Sequence, residues 1–178
     1  MAPWYMLALV GRDQPGIVAR ITQALYQGGA NLGEASMLRL GSNFAMMLMV
    51  SYSGDAHAVE KLVARDAQEL GLTVHVDQIV GQLHQHMQPN ISVSVYGADR
   101  SGIVARVTSA LANAGFHILS LESDVGGSDQ QPLYIMHIEG HCAGSIEQLQ
   151  SALRDVIQDG IQIHFEAIES MAHKHRGE

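Results

Sequence analysis

The sequence predicts an α+β fold of two tandem units, each a β-α-β-β-α-β arrangement of roughly 80 residues. Two observations lead to this prediction: a long internal repeat, and hydrophobic patterns that change between strand and helix spacing in the same order in both halves. The composition agrees, because 47% hydrophobic and 16% charged residues among 178 are typical of a globular chain. A unit of this length buries only a small core, so we expect the two units to pack together or the chain to form a homodimer.

An internal repeat with an offset of 86 residues divides the chain. Residues 11–29 and 97–115 are identical at eleven of nineteen positions without a gap. Between the copies lies a polar stretch that opens with Gly81 and closes with Pro89, as linkers do. The sequence therefore predicts a first domain over residues 1–80, a linker over 81–89, a second domain over 90–170 and a flexible tail over 171–178.

Each unit opens with a strand, a glycine turn and a helix. Trp4–Val10 is an apolar strand, and Ile91–Tyr96 alternates apolar and polar residues, as a strand with one solvated face does. A Gly-x-Asp-x-x-Gly turn follows in both copies, and we expect Asp13 and Asp99 to cap the helices, because aspartate is favoured at that position. The predicted inward helical stripes are Ile17, Ile21 and Leu25 in the first copy and Ile103, Val107 and Leu111 in the second.

The rest of each unit predicts a β-hairpin, a second helix and a last strand. In the first copy these elements are Asn31–Leu40, Phe44–Ser51, Ala56–Leu70 and Leu72–Ile79. In the second copy they are Phe116–Val125, Leu133–Glu139, Ser145–Ile157 and Ile161–Ile168, with a loose loop over residues 126–132. This order is that of the ferredoxin-like fold, which has a four-stranded antiparallel sheet with both helices on one face.

The segment Phe44–Val50 is apolar at both parities, whereas a strand covered on one face normally alternates. Two interpretations remain open. The segment is a methionine-rich core strand with small or flexible residues on the open face, or that face is covered by the other copy or by another chain. The second interpretation predicts that Ala45, Met47 and Met49 are all buried by a neighbouring domain.

Charge and cysteine content exclude several classes of protein. The net charge is −8, which argues against non-specific nucleic-acid binding, because a phosphate backbone requires an excess of Lys and Arg. The negative charge does not exclude regulation of a gene through another protein. Cys142 is the only cysteine, so no internal disulfide forms and a reducing compartment fits. The apolar run near the amino terminus is too short for a signal peptide or a membrane span, so we expect a cytoplasmic protein.

The repeated turn has two interpretations. Helix-start amides carry partial positive charge and suit a small anion such as a carboxylate, and Gly16 and Gly102 permit close approach to the backbone. Alternatively, the turn repeats only because the fold repeats. It is not a nucleotide-binding loop, because Ile17 and Val18 stand where Lys and Ser/Thr are required.

The helix entries Asp13–Val18 and Asp99–Val104, and the Gly-Ala-Asn31 entry to the second strand, resemble the ACT domain, an amino-acid-sensing module. Both copies match, so the resemblance covers nearly the whole chain. A protein of two such domains is also similar to the glycine cleavage system transcriptional repressor family. This resemblance implies a glycine- or serine-like effector, and a DNA-binding transcriptional activator as protein partner, with no direct contact to DNA.

The resemblance also implies where the effector binds: between the first loop and the second strand, with loop amides on the carboxylate and an asparagine orienting the ligand. In the second copy His117 stands at the place of that asparagine. The implied ligand-binding residues are Asp13, Gln14, Pro15, Gly16, Ile17 and Asn31 in the first copy and Asp99, Arg100, Ser101, Gly102, Ile103 and His117 in the second. The departure at His117 makes it plausible that one copy binds and the other is structural.

Catalytic and metal chemistry find little support in the sequence. The pairs His84/His86 and His173/His175 lack the further ligands of a metal site, and no motif pairs a serine or Cys142 with a base. We therefore expect no catalytic residue, no metal and no cofactor. Two alternatives to a sensor of this kind stay open: a stand-alone regulatory subunit of an amino-acid or one-carbon enzyme, and a scaffold whose ligand sites have decayed.

Overall fold

The computed structural model describes residues 2–80, 87–98, 101–128, 131–157 and 161–168. The chain forms two compact units, Met1–His84 and Gln85–Glu178. Most of the predicted linker, residues 81–86, and the whole predicted tail, 171–178, lie outside the described residues. The domain limits at 80 and 90 therefore stay predictions.

The first unit has the predicted order of elements. Its sheet is antiparallel throughout, with strand order β2-β3-β1-β4. The elements are β1 (Trp4–Arg12), α1 (Ile17–Gln27), β2 (Asn31–Leu40), β3 (Asn43–Ser51), α2 (Ala56–Glu69) and β4 (Thr73–Gln78). Gly28 and Gly29 follow the end of α1, Gly29 with a φ of +79°.

The second unit repeats the arrangement, with strand order β6-β7-β5-β8. The elements are β5 (Ile91–Ala98), α3 (Ile103–Asn113), β6 (His117–Ser128), β7 (Gln131–His141), α4 (Ile146–Ala152), α5 (Arg154–Ile157) and β8 (Gln162–Ala167). The helix predicted over Ser145–Ile157 is interrupted at Leu153, where the backbone has φ −95° and ψ 3°. The inward stripe continues across the interruption, because Leu149, Leu153 and Val156 are all buried.

The prediction of a loose loop over residues 126–132 is wrong for most of that range, which belongs to strands β6 and β7. Strands β6 and β7 continue to pair there, with Gly127 opposite Pro132 and Ser128 opposite Gln131. Proline is tolerated in β7 at this point, because the other neighbour, β5, ends at Ala98 opposite Leu133, so no amide is needed on that side.

Each unit has a hydrophobic core of its own between the sheet and the helices. The predicted stripes of α1 and α3 are confirmed, because all six side chains are at most 4% exposed. In the first unit Val59, Val63 and Ala67 of α2 meet the α1 stripe over Leu7, Leu9 and Leu48 of the sheet. Both units are therefore ferredoxin-like α+β domains.

The helix caps differ from the prediction. The N-cap residues are Gly16 and Gly102, with φ of +90° and +88°, and no side chain caps either helix. Asp13 lies three residues before the cap and is not the cap, because β1 continues through Arg12 and the chain needs the next residues for the turn. The same prediction for Asp99 is wrong for the cap of α3, and Asp99 itself lies outside the described residues.

The open face of the first sheet is only partly covered. Ala45 is half-buried, Met47 is 53% exposed and Met49 is 7% exposed. Trp4 and Met49 close over Gly33, where a side chain would collide with the indole ring. Trp4 and Met49 thus flank Gly33 on this face, and coverage of Met47 by another chain stays a prediction.

Ion pairs join α1 and α2 in the first unit. Arg20 Nη2 lies 2.6 Å from Asp66 Oδ1 and 2.5 Å from Glu69 Oε2, and Arg65 Nε lies 3.0 Å from Glu69 Oε1. The hydrogen bonds from Arg20 and then Arg65 lower the pKa of Glu69, and the hydrogen bond to Asp66 raises the pKa of Arg20. Because the four side chains are 28–90% exposed, salt screens the network and it adds little to stability at high ionic strength.

The lowered pKa of Glu69 predicts the sign of a pH effect. A carboxyl group whose pKa is lower in the folded state stabilises that state above its ordinary pKa of about 4.3 and loses this effect as the pH falls through the lowered value. We expect the stability difference between the wild type and Glu69→Gln to be largest near neutral pH and to shrink in acid. Urea unfolding of both proteins over this range measures it at low salt, and a difference that does not vary with pH would contradict the assignment.

Candidate functional site

Hydrogen bonds on two sides hold the loop between β1 and α1 in place. The backbone N–H of Asp13 donates to the carbonyl oxygen of Ser42 in the β2–β3 turn at 2.9 Å. Gln14 Nε2 donates to the carbonyl oxygen of Leu70, at the end of α2, at 2.8 Å. The loop is therefore tied to both elements that flank it, as a preformed binding site requires.

A surface cavity of about 390 Å³ lies beside this loop. Its wall combines the loop, the first turn of α1 and the end of the β2–β3 hairpin. The lining residues are Asp13, Gln14, Gly16, Ile17, Val18, Ala19, Met37, Arg39 and Phe44. Four of the loop residues that the sequence predicts for ligand binding thus lie together in one cavity; Pro15 occupies the same turn without lining it.

The first turn of α1 presents backbone donors to this cavity. The first bond of the helix runs from the N–H of Arg20 to the carbonyl oxygen of Gly16 at 3.0 Å. Helix geometry leaves the amides of Ile17, Val18 and Ala19 without an acceptor inside the helix, and no side chain caps them. The positive φ of Gly16 by itself requires glycine, because a side chain there would meet open space rather than another atom.

An ion pair lies in the cavity wall. Arg39 Nη2 is 2.5 Å from Asp13 Oδ2, with side-chain exposures of 63% and 23%. Sequence reasoning missed Arg39, Met37 and Phe44. The signal was the strand register: β2 runs parallel to β1 through their shared neighbour β3, so the end of β2 comes next to the loop that follows β1.

The same register separates Asn31 from the loop. Asn31 pairs with Ser51, which pairs with Trp4 at the start of β1, whereas the loop follows Arg12 at the other end. Eight strand residues span roughly 26 Å, so Asn31 does not join the cavity of its own unit. His117 lies at the equivalent end of its sheet, opposite His141. Ligand contacts by Asn31 and His117 stay predictions.

The second unit has the same helix start but a different wall. Ser101 and Gly102 precede α3, Ile103 is buried, and the N–H of Arg106 donates to the carbonyl oxygen of Gly102 at 2.9 Å. Asp99 and Arg100 lie outside the described residues. The strand pairing shows that Arg39 in the first unit and Val125 in the second occupy equivalent positions. Arg39 pairs with Phe44 opposite Gly11, and Val125 pairs with Tyr134 opposite Gly97.

A serine–histidine contact occurs elsewhere, on the open face of the second sheet. Ser94 Oγ lies 3.0 Å from His137 Nδ1, and the His137 ring meets Tyr96 edge-on with centroids 6.1 Å apart. These three residues are cross-strand neighbours on an exposed surface, and the contacts fix the imidazole against the sheet.

The described residues contain neither a candidate metal-binding cluster nor a membrane-spanning helix. Among them, no group of three or more His, Cys, Asp or Glu side chains is arranged to hold a metal ion. The pairs His84/His86 and His173/His175 lie outside the described part of the chain. No helix in that part is both long and apolar enough to cross a membrane.

The loop, the helix start and the two ferredoxin-like units define the class of the protein. A family model of the ACT domain matches residues 6–77, and the chain belongs to the ACT-domain family. It is 36% identical over 75 residues to the UPF0237 protein MK1213 of Methanopyrus kandleri, a match that spans 42% of this chain and 82% of that protein.

Over most of its length the chain is similar to a transcriptional regulator. It is 25% identical over 158 residues to the glycine cleavage system transcriptional repressor of Escherichia coli (strain K12), which covers 84% of this chain and 83% of the relative. The crystal structure of an unknown protein from Galdieria sulphuraria has a TM-score of 0.77 at 24% identity and covers 95% of this chain and 100% of its own. That structure supports the tandem fold.

Proposed function

We propose that the protein senses a small amino acid, glycine first among them, and represses transcription through a partner protein. The observation that carries this proposal is the cavity at the start of α1, where a fixed loop and helix amides meet an open volume of about 390 Å³. The similarity to a glycine cleavage system transcriptional repressor over 84% of the chain supports the regulatory role.

The chemistry of the cavity suits a carboxylate. The amides of Ile17, Val18 and Ala19 carry the partial positive charge of a helix start, and Gly16 leaves the approach to them open. Loop ties through Asp13 and Gln14 hold the donors in position before a ligand arrives, so little ordering is needed on binding.

The proposed partner is a DNA-binding transcriptional activator rather than DNA. A net charge of −8 opposes binding to a phosphate backbone, whereas it is no obstacle to binding a protein. Binding of the amino acid favours one state of the chain over another, and this change releases the activator. The repressor acts as a homodimer in the cytoplasm in this proposal.

Amino-acid binding is the direct test of this proposal. A saturating ligand at one hundred times its dissociation constant adds about 2.7 kcal/mol to the free energy of unfolding. We expect glycine, or a close analogue such as serine or alanine, to raise the melting temperature with a saturating dose dependence. Larger and charged amino acids at the same concentrations are the controls, because a general osmolyte effect would be shared by all and would not saturate. If none of the amino acids gives a saturating shift, the protein is not a sensor of this class.

A further inference from the structure

We propose that the Arg39–Asp13 ion pair is the receptor for the two charges of a zwitterionic amino acid, and that each chain has this receptor only in its first unit. This inference rests on the proposed function and specifies the chemistry of its ligand. Arg39 would take the carboxylate beside the helix-start amides of Ile17, Val18 and Ala19, and Asp13 would take the ammonium group. The class of ligand is therefore an α-amino acid with a small uncharged side chain.

The geometry places both charges where a ligand can reach them. Arg39 and Asp13 line the same cavity, and their charged atoms Nη2 and Oδ2 are 2.5 Å apart. Arg39 is anchored at the end of β2 and Asp13 in the loop tied to Ser42, so the two charges come from separate elements of the unit. Because the Arg39 side chain is 63% exposed, it has room to rotate away from Asp13 while the backbone of β2 stays in place.

An exchange of partners explains why both charges of the ligand are needed. An exposed ion pair contributes little to stability, so opening it carries a small penalty. When a zwitterion enters, its carboxylate accepts hydrogen bonds from Arg39 and its ammonium donates to Asp13, and neither protein charge loses its partner. A simple carboxylate would pair Arg39 and leave Asp13 unpaired, and a simple amine would do the reverse.

The remaining wall limits the ligand's side chain. Met37, Phe44 and Val18 supply apolar surface beside the ion pair. A charged side chain would lose hydration against this surface without gaining a partner of opposite charge. Small side chains such as those of glycine, alanine and serine avoid this loss.

Among the described residues of the second unit, no cation stands at the strand position that Arg39 has in the first. Val125 stands at the strand position that Arg39 has in the first unit, and its side chain is 53% exposed. A valine cannot donate a hydrogen bond to a carboxylate. We therefore expect one amino acid per chain rather than two.

Isothermal titration of the full chain with glycine, sodium acetate and methylammonium chloride tests the inference. We expect one glycine per chain, with acetate and methylammonium each binding at least about tenfold more weakly, because each retains one of the two charge-assisted interactions. Arg39→Gln is expected to weaken glycine binding about tenfold or more. The matched control is Arg12→Gln: Arg12 is exposed at the same end of the sheet, on the opposite face, outside the cavity.

The outcomes separate this inference from the proposed function. Glycine binding by Arg39→Gln with wild-type affinity, or two glycines per wild-type chain, would overturn the zwitterion receptor and leave amino-acid sensing in place. A wild-type protein that binds none of glycine, alanine and serine would contradict both. An unchanged melting temperature of ligand-free Arg39→Gln shows that a loss of binding is not a loss of folding, and Asp13→Asn provides a second variant that removes the other charge.

Discussion

Replacing Leu25 by alanine is expected to lower the free energy of unfolding of the first unit by about 3 kcal/mol. Leu25 is fully buried on the inward stripe of α1, and truncation leaves a cavity among the strands and α2. Leu111 occupies the equivalent position of α3 and is also fully buried, so Leu111→Ala is a matched change in the other unit. We expect a similar loss there.

Scanning calorimetry of the two variants tells the units apart. Each unit has its own core cluster, so Leu25→Ala should lower the melting of the first unit and Leu111→Ala that of the second. Added glycine should raise the transition that Leu25→Ala lowers, because the proposed receptor belongs to that unit. If both variants shift one common transition by the same amount, the units unfold together. If glycine raises only the transition that Leu111→Ala lowers, glycine binds to the second unit, and the placement of the receptor in the first unit is contradicted.

Most of the fold could be predicted because its signals are local and occur twice. Stripes such as Ile17, Ile21 and Leu25 depend only on spacing within one helix, and Ile103, Val107 and Leu111 repeat the same pattern. Positive-φ glycines, Gly29 and Gly115, follow the first helix of each copy at equivalent positions. A second copy of each signal separates a true element from a chance pattern, which a single copy cannot do.

The candidate site was harder to predict because it depends on contacts between distant segments. Arg39 comes next to Asp13 only through the register of β2 on β3 and of β3 on β1. Aspartate in a turn before a helix is usually a cap, and local propensity gives no hint that this one prefers an arginine 26 residues later. The family resemblance pointed to Asn31, which the same register places at the far end of the sheet.

The two copies also fill their cores in different ways. In the first unit Ala30 precedes β2 and Val50 lies on β3 opposite Leu32. In the second unit Phe116 precedes β6 and Gly140 lies on β7 opposite Ile118. The second unit thus has the larger residue at the first position and the smaller residue, glycine, at the second. The Phe116 ring occupies the space that a side chain at position 140 would need.

Gly140→Ala is therefore expected to destabilise the second unit by about 3 kcal/mol, at the upper end for overpacking. The new methyl group would collide with the Phe116 ring and with the carbonyl oxygen of His117, and the backbone oxygen has no rotamer by which to move away. Urea unfolding measures the loss.

Gly126→Ala is the matched control. Its methyl group would meet only Ile135 Cδ1, at 3.9 Å, so we expect the free energy of unfolding to change by no more than about 0.5 kcal/mol. In a double-mutant cycle with Phe116→Ala we expect a favourable coupling of about 1 kcal/mol. Additive effects would mean that the His117 carbonyl alone, and not the exchanged pair of residues, requires glycine at this position.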